Sequence, residues 1–317
     1  MAMVILHSAE KWIARFGESR KATAVTIGNF DGVHRGHQEI LRRVQAFAVR
    51  ENLMSAVLTF YPHPAKVLRP EHAPALLMSL DQRLKAIEAA GIDRALVIRF
   101  DEGLAKLSPQ DFVEHFLVKA MRAREVLVGE NFRFGHGQAG DVRLLSELGK
   151  KWNFHVEVLA PVREGAVVAS STAVRLALRE GRVEDARDLL GRPYALCGEI
   201  KAGTGQGRKL VVPTLNLSTD QELLPKNGVY ATEVAVGGKI YRAATNVGNR
   251  PTFDGSHTTI ESHLFDFTEM LTIGPLEVRF FKRLRDERKF SGPAELREQI
   301  LQDIEQAKDY FRNTAVK

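Results

Sequence analysis

The chain has 317 residues, 44% hydrophobic and 26% charged, with a formal net charge of +6; this is the make-up of a soluble globular protein of about two domains and excludes a disordered chain. No apolar run approaches the roughly 18 to 20 residues that span a bilayer, and the single cysteine, Cys197, excludes an internal disulfide and a Cys-based zinc site. So modest a positive charge suits small anionic partners rather than nucleic acid or a membrane, and the chain reads as cytoplasmic.

Taken in chain order, Ala22 to Ile27 predicts a buried strand; the glycines Gly28, Gly32 and Gly36 then mark a tight loop, and a helical pattern begins near His37. Ser55 to Phe60 is a strand, Ser79 caps a helix that stops before Gly91, and Arg94 to Phe100 is a strand again. Ser108-Pro109-Gln110-Asp111 opens another helix, with cap, proline and acidic first turn in order, and Glu125 to Val128 is the next strand. This alternation predicts a doubly wound parallel α/β sheet, with ligands bound outside the carboxyl ends of its strands. Beyond Arg192-Pro193 the texture changes. Ala195–Lys201, Val229–Val236, Lys239–Asn246, Thr258–Phe267 and Leu276–Leu284 read as strands, with Gly237-Gly238 a hairpin turn. Only Pro293 to Phe311 reads as helix, with Leu296, Ile300, Ile304 and Ala307 on one stripe. The expected architecture is an N-terminal α/β domain over 1–187 and a C-terminal antiparallel β-barrel with a terminal helix over 188–317.

Four segments of the N-terminal half carry chemistry. Thr26 to His37 places glycines and two histidines three residues apart at a strand-to-helix junction, where helix N–H groups and the positive dipole end receive phosphate. Phe60-Tyr61-Pro62-His63-Pro64 ends a strand with a rigid apolar wall able to stack a flat ring, and Gly129 to Gly135 adds Asn131, Phe132 and Phe134. Ser170-Ser171-Thr172 with Arg175 one turn inside the helix forms an anion clamp. Taken singly, Phe132 and Phe134 also read as core and Arg175 as a solvated residue. In the C-terminal half, Gly203 to Lys209 lacks the ending of a Walker loop and reads as a loop between strands, whose Arg208 and Lys209 can fold over phosphates. Thr214 and Asn216 project to one face of an extended segment as hard oxygen donors suited to Mg²⁺. Glu261 and His263 share a face with Phe265 and Phe267, opposite Ile260 and Leu264; Glu261 is there either a general base or a rim ion-pair partner.

The pattern Gly-x-Phe-Asp-Gly-x-His-x-Gly-His from Gly28 to His37 resembles the signature of the HxGH nucleotidylyltransferases. The order of segments up to about residue 190 is similar to the adenylyltransferase module of the bacterial bifunctional riboflavin kinase/FMN adenylyltransferases, and 192–317 to their kinase module. The resemblance implies ATP, riboflavin, FMN and FAD as substrates and products, and Mg²⁺ as cofactor. It implies that Gly28, Asn29, Phe30, His34 and His37 hold ATP phosphates, assisted by Asn131, Ser171, Thr172 and Arg175, with His34 and His37 catalytic. The flavin would face Phe60, Pro62, His63, Pro64 and Phe132. In the kinase module the resemblance places ATP at Gly205, Gly207, Arg208, Lys209, Thr214 and Asn216, the metal at the last two, Glu261 as base and Arg285 near the flavin or phosphates. The family's Gly-x-Pro-Thr-Ala-Asn is here Val211-Val212-Pro213-Thr214-Leu215-Asn216, one glycine lost and alanine replaced by leucine. The rival reading is a nucleotidylyltransferase alone, its barrel a non-catalytic binding module.

Overall fold

The computed structural model describes residues 2–17, 21–201, 214–252, 255–267 and 271–314, which fall into two compact units, Met1–Ser170 and Ser171–Lys317. The first is built on six parallel strands, β1 (Val4–Leu6), β2 (Thr23–Ile27), β3 (Met54–Tyr61), β4 (Arg94–Arg99), β5 (Ala123–Gly129) and β6 (His155–Leu159), in the order β1-β4-β3-β2-β5-β6. Successive residues of each strand point to opposite faces, so the sheet carries two cores. Val25, Ile27, Ala56, Leu58, Val126 and Val128 pack against α1 (Ala9–Phe16), the helix from Pro109 (α6, Pro109–Phe112) and α7 (Val142–Trp152). Ala24, Val57, Ala95, Val97 and Leu127 pack against α2 (Arg35–Arg50) and α4 (Leu80–Ala89). Short helices α3 (Pro64–Leu68) and α5 (Glu102–Ala105) follow β3 and β4, and α6 runs on as a π-helix over Val113–Ala120. A small hairpin, β7 (Arg163–Glu164) and β8 (Val167–Val168), closes the unit. The chain winds outward from β2 to β4 on one side and from β5 to β6 on the other, so the crevice of the sheet opens at the carboxyl ends of β2 and β5.

The predicted strands and the Ser79- and Ser108-capped helices are where the sequence places them. Helix α2 starts at Arg35 rather than near His37, because a histidine, His34, supplies the cap.

The second unit opens with α8 (Ser171–Arg179) and α9 (Val183–Leu190) and continues as a closed antiparallel barrel. Its strands are β9 (Tyr194–Lys201), β10 (Leu215–Ser218), β11 (Gly228–Val236), β12 (Lys239–Thr252), β13 (Gly255–Leu264) and β14 (Pro275–Arg285), in the order β10-β13-β12-β11-β14-β9. Gly237 and Gly238, both at positive φ (58° and 76°), make the β11–β12 hairpin turn. Tyr230, Thr232, Thr245, Val247, Ile260, Ser262 and Leu264 are buried inside; there the hydroxyls of Thr232, Thr245 and Ser262 form a chain at 2.6 and 2.8 Å. Helix α10 (Pro293–Thr314) covers the outer face through Ile304, Ala307 and Phe311 on Ala231, Ala244 and Phe265. Strand β13 stops at Leu264, short of the predicted Phe267, because the chain turns at Asp266 in a left-handed conformation (φ 56°). Phe267 therefore does not extend the face of Glu261 and His263 along that strand.

Candidate active sites

The first site follows β2. The loop Gly28–Val33 is tightly wound, with Phe30 and Val33 at φ 51° and 40° around Gly32 at 86°, all three residues buried; such backbone persists only where its surroundings fix it. The Val33 N–H donates to the Phe30 carbonyl (3.1 Å), and the Gln38 amide donates to that of Val33 (2.8 Å). His34, 7% exposed, caps α2: the His37 backbone N–H donates to its Nδ1 at 3.4 Å. That acceptor role leaves the ring proton on Nε2. The two imidazoles stack at 3.7 Å with 23° between planes, and the Phe30 ring lies 5.0 Å from His37. A Cβ on Gly36 would stand 3.1 Å from the His34 ring, so glycine is what lets that ring fold back over the helix start. His37 Nδ1 is enclosed with no hydrogen-bond partner, and burial, helped by the adjacent His34, pushes its pKa well below the usual imidazole range. The first turn of α2 has no acidic residue, which leaves the positive end of the dipole uncompensated.

Rings from four segments stand together past the ends of the neighbouring strands. Phe60 meets Phe100 edge-on at 5.9 Å and Phe112 at 6.3 Å; Phe112 meets Phe134 at 5.9 Å, and Phe132 stacks on Phe134 at 5.4 Å. Phe134 is buried and Phe60 and Phe132 half-buried, so the cluster presents an apolar wall. Phe100 and Phe112 were not legible as wall residues, since each sits where sequence signals only a strand end or a first helical turn. The Tyr61–Pro62 peptide is cis. His63 is spent on capping: the Ala65 N–H donates to its Nδ1 (3.2 Å), with Pro64 as the first residue of α3. Asn131 is exposed. Ser171, Thr172 and Arg175 belong to α8 of the second unit, with Thr172 exposed and Arg175 buried.

The second site is on the outer face of the barrel. Asn216 of β10 and Asn246 of β12 are both register partners of Glu261 on β13, so the three form one row across adjacent strands. The row shares its face with Ala244 and His263, the side that α10 covers further along, while the alternate residues Leu215, Leu217, Ile260 and Ser262 are buried inside. The leucine that replaces the family's alanine thus fills the barrel, while Thr214, next to it, is exposed. Two residues past Asn246, a Cβ on Gly248 would stand 2.5 Å from Glu287 Oε1 and 3.0 Å from Asn246 Nδ2. Glycine there lets the Glu287 carboxylate, which accepts from Asn227 Nδ2 at 3.0 Å, lie over the end of the row. Asn246 and Glu287 escaped the sequence reading, since only register and a loop bring them in. Arg285 makes a two-pronged ion pair with Asp303 of α10 (2.8 and 2.7 Å), and Gln299 donates to the same carboxylate (2.9 Å). Gly205, Gly207, Arg208, Lys209 and the Val211-Val212-Pro213 stretch lie outside the described residues. Among the described residues, no group of three or more His, Cys, Asp or Glu is gathered in metal-binding geometry, and no helix is long and apolar enough to cross a membrane.

A glycine-wound loop between strand and helix on a parallel sheet, followed along the chain by a barrel with a polar cross-strand row, is the architecture of a two-module enzyme. Residues 17–173 match the family model of FAD synthetase and residues 190–311 that of riboflavin kinase. The bifunctional riboflavin kinase/FMN adenylyltransferase of Escherichia coli (strain K12) is 37% identical over 92% of this chain and 94% of its own length. That of Bacillus subtilis (strain 168) is 34% identical over 93% and 95%. A crystal structure described as a macrolide-efflux protein from Streptococcus pneumoniae has the same fold over 96% of this chain and 97% of its own, at 28% identity and a TM-score of 0.86. The chain belongs to the bifunctional riboflavin kinase/FMN adenylyltransferase family.

Proposed function

We propose that this chain makes FAD from riboflavin in two steps, each consuming ATP. The barrel transfers the γ-phosphoryl group of ATP to the terminal ribityl hydroxyl, giving FMN and ADP. The α/β unit transfers AMP from a second ATP to the FMN phosphate, giving FAD and pyrophosphate. What carries this reading is that each half matches its own family model and holds the side chains its reaction needs.

In adenylyl transfer the FMN phosphate is already an anionic nucleophile and needs no base, so the task is to hold and neutralise phosphates in line. The N–H groups at the start of α2, His34 Nε2–H, the His37 ring and Asn29 serve the ATP phosphates. Ser171, Thr172, Arg175 and Asn131 assist, and Phe60, Pro62 and Phe132 face the flavin. His37, held neutral by its enclosure, acts as a hydrogen-bonding group rather than as a fixed cation.

In the kinase step Glu261 takes the hydroxyl proton, and Thr214 and Asn216 offer the hard oxygen donors that suit a Mg²⁺ ion carried by nucleotide phosphates. When bound, Mg²⁺ supplies charge neutralisation on those phosphates. Gly205, Gly207, Arg208 and Lys209 remain assigned to ATP and Arg285 to the flavin side, the last within its pairing to Asp303. Domain limits of 1–187 and 188–317, a cytoplasmic location and small molecules as the sole partners complete the reading. The test is to incubate the full chain with riboflavin, ATP and Mg²⁺ and separate the flavins by chromatography. FMN followed by FAD is expected; FAD from supplied FMN, with no FMN from riboflavin at any ATP level, leaves adenylyl transfer alone and makes the barrel a binding module.

A further inference from the structure

Parallel pairing of β2 and β3 ends at the rung Ile27↔Leu58, followed by a last bond from the Gly28 N–H to the Leu58 carbonyl (3.1 Å). Two residues past that rung on each strand come Asn29, in the nucleotide loop, and Phe60, in the aromatic wall. Here the fork of one side chain takes over from the ladder: Arg83 Nη1 donates to the Asn29 carbonyl (2.5 Å) and Nη2 to the Phe60 carbonyl (3.2 Å). Arg83 is 6% exposed and sits one turn into α4, whose start is fixed by a capping box between Ser79 and Gln82. The same short segment is tied back to the loop a second time, since the Leu77 N–H donates to both carboxylate oxygens of Asp31 (3.0 and 3.2 Å). The Asp31 charge also supports the guanidinium, which burial alone disfavours.

We infer that Arg83 is a positioning residue for adenylyl transfer: its two-pronged grip on the Asn29 and Phe60 carbonyls sets the spacing between the ATP-phosphate loop and the flavin wall. This rests on the assignment of those two segments to ATP and FMN. Three observations favour positioning over plain packing. Its Nε is buried without a partner, as are the hydroxyls of Thr26 and Thr59 on the same face of the sheet, so the arginine is not placed to satisfy the polar groups of the core beneath it. A buried guanidinium is costly, and an apolar residue would fill that position at less expense in desolvation. Finally, the contacts go to main-chain carbonyls of the two segments that must hold the two substrates at reacting distance, and a displacement of about 1 Å there costs on the order of a hundredfold in rate. Only a planar fork reaches both carbonyls; an ammonium reaches one.

The experiment uses the full chain with Arg83→Met and Arg83→Lys, measuring kcat and KM for FAD formation from FMN and, in the same preparations, riboflavin phosphorylation. The second reaction belongs to the other unit and normalises the preparations, while the fluorescence of Trp12 and Trp152 in urea reports whether the first unit is folded. Expected for Arg83→Met is a fall in the kcat of FAD formation of about thirtyfold or more, with phosphorylation within twofold of the parent and Arg83→Lys between parent and Met variant. The inference is overturned if Arg83→Met keeps kcat within threefold. It is equally overturned if KM for ATP rises while kcat holds, which indicates direct substrate binding, or if the tryptophan fluorescence of Arg83→Met shows its first unit unfolded without urea, which indicates a purely structural role. His37→Gln assayed beside them tests the phosphate site itself: if that variant keeps full FAD synthesis, the site assignment has failed, whereas a loss there with none in Arg83→Met removes only the role of Arg83.

Discussion

Replacing His37 by glutamine tests the electrostatics of the proposed phosphate site through protein stability. In the folded chain His37 is held neutral, mainly by burial and secondly by the neighbouring His34, while in the unfolded chain an imidazole titrates near pH 6.5. The unfolded state therefore binds the extra proton first, so the contribution of His37 to stability is complete above about pH 6.5 and is lost as pH falls towards its depressed folded pKa. Between pH 7.5 and 5.5 one such group costs about 1.4 kcal/mol, a tenfold change in the folding equilibrium. Both tryptophans, Trp12 and Trp152, lie in the first unit, so their fluorescence in urea follows that unit alone. The parent should lose about 1.4 kcal/mol more than His37→Gln over this interval. Equal pH dependence in the two proteins would refute an enclosed, neutral His37. At pH 7.5 the same variant should make FAD about a hundredfold more slowly, the usual cost of one donor aimed at transition-state charge.

Glu261→Gln keeps the shape of the side chain but cannot accept a proton, so riboflavin phosphorylation should fall by at least a hundredfold while FAD synthesis from supplied FMN is unchanged; chromatography of the flavins reads both. Asp303→Ala should cost the barrel unit about 3 kcal/mol in urea unfolding, because it leaves the guanidinium of Arg285 without its two-pronged partner. A fragment from Ser171 should phosphorylate riboflavin and unfold at higher urea than one from Gly191, since α9 buries Val183, Ala186, Leu189 and Leu190 and pairs Glu184 with Lys282 of β14 at 2.6 Å; equal midpoints would show that α9 adds nothing to the barrel.

What the sequence made legible was whatever is local. The glycine spacing, the two histidines and the helix start that follows them lie within a dozen residues, so chain connectivity already brings them together. The stripe of Leu296, Ile300, Ile304 and Ala307 was legible for the same reason, yet the buried side of α10 also carries Gln299 and Asp303. Hydropathy assigns those two to solvent; they are inside because Arg285, from a different element, supplies the counter-charge. Arg83 was hidden in the same way: nothing in the pattern of α4 separates it from a solvated helix arginine, and its role appears only when two strand ends arrive on either side of its fork.

The barrel site shows where legibility ends and why. Alternation alone puts Asn216 on one face and Leu215 and Leu217 on the other, and likewise Glu261 against Ile260 and Leu264, because the side-chain period of a strand is two residues. It cannot say which outward residue of one strand stands beside which of the next; that is decided by register, and register is decided by the inward faces. A one-residue slip of β10 against β13 would set Asn216 beside Ile260 or Ser262, both buried within the barrel, and would carry Leu215 and Leu217 towards the outside. The inward-facing apolar residues are thus what aligns Asn216 with Glu261, and Glu261 with Asn246. On this argument the leucine that departs from the family pattern at residue 215 belongs to the packing that holds the row in register. Its larger side chain strengthens that alignment for as long as the barrel interior accommodates its volume, as its 8% exposure shows that it does.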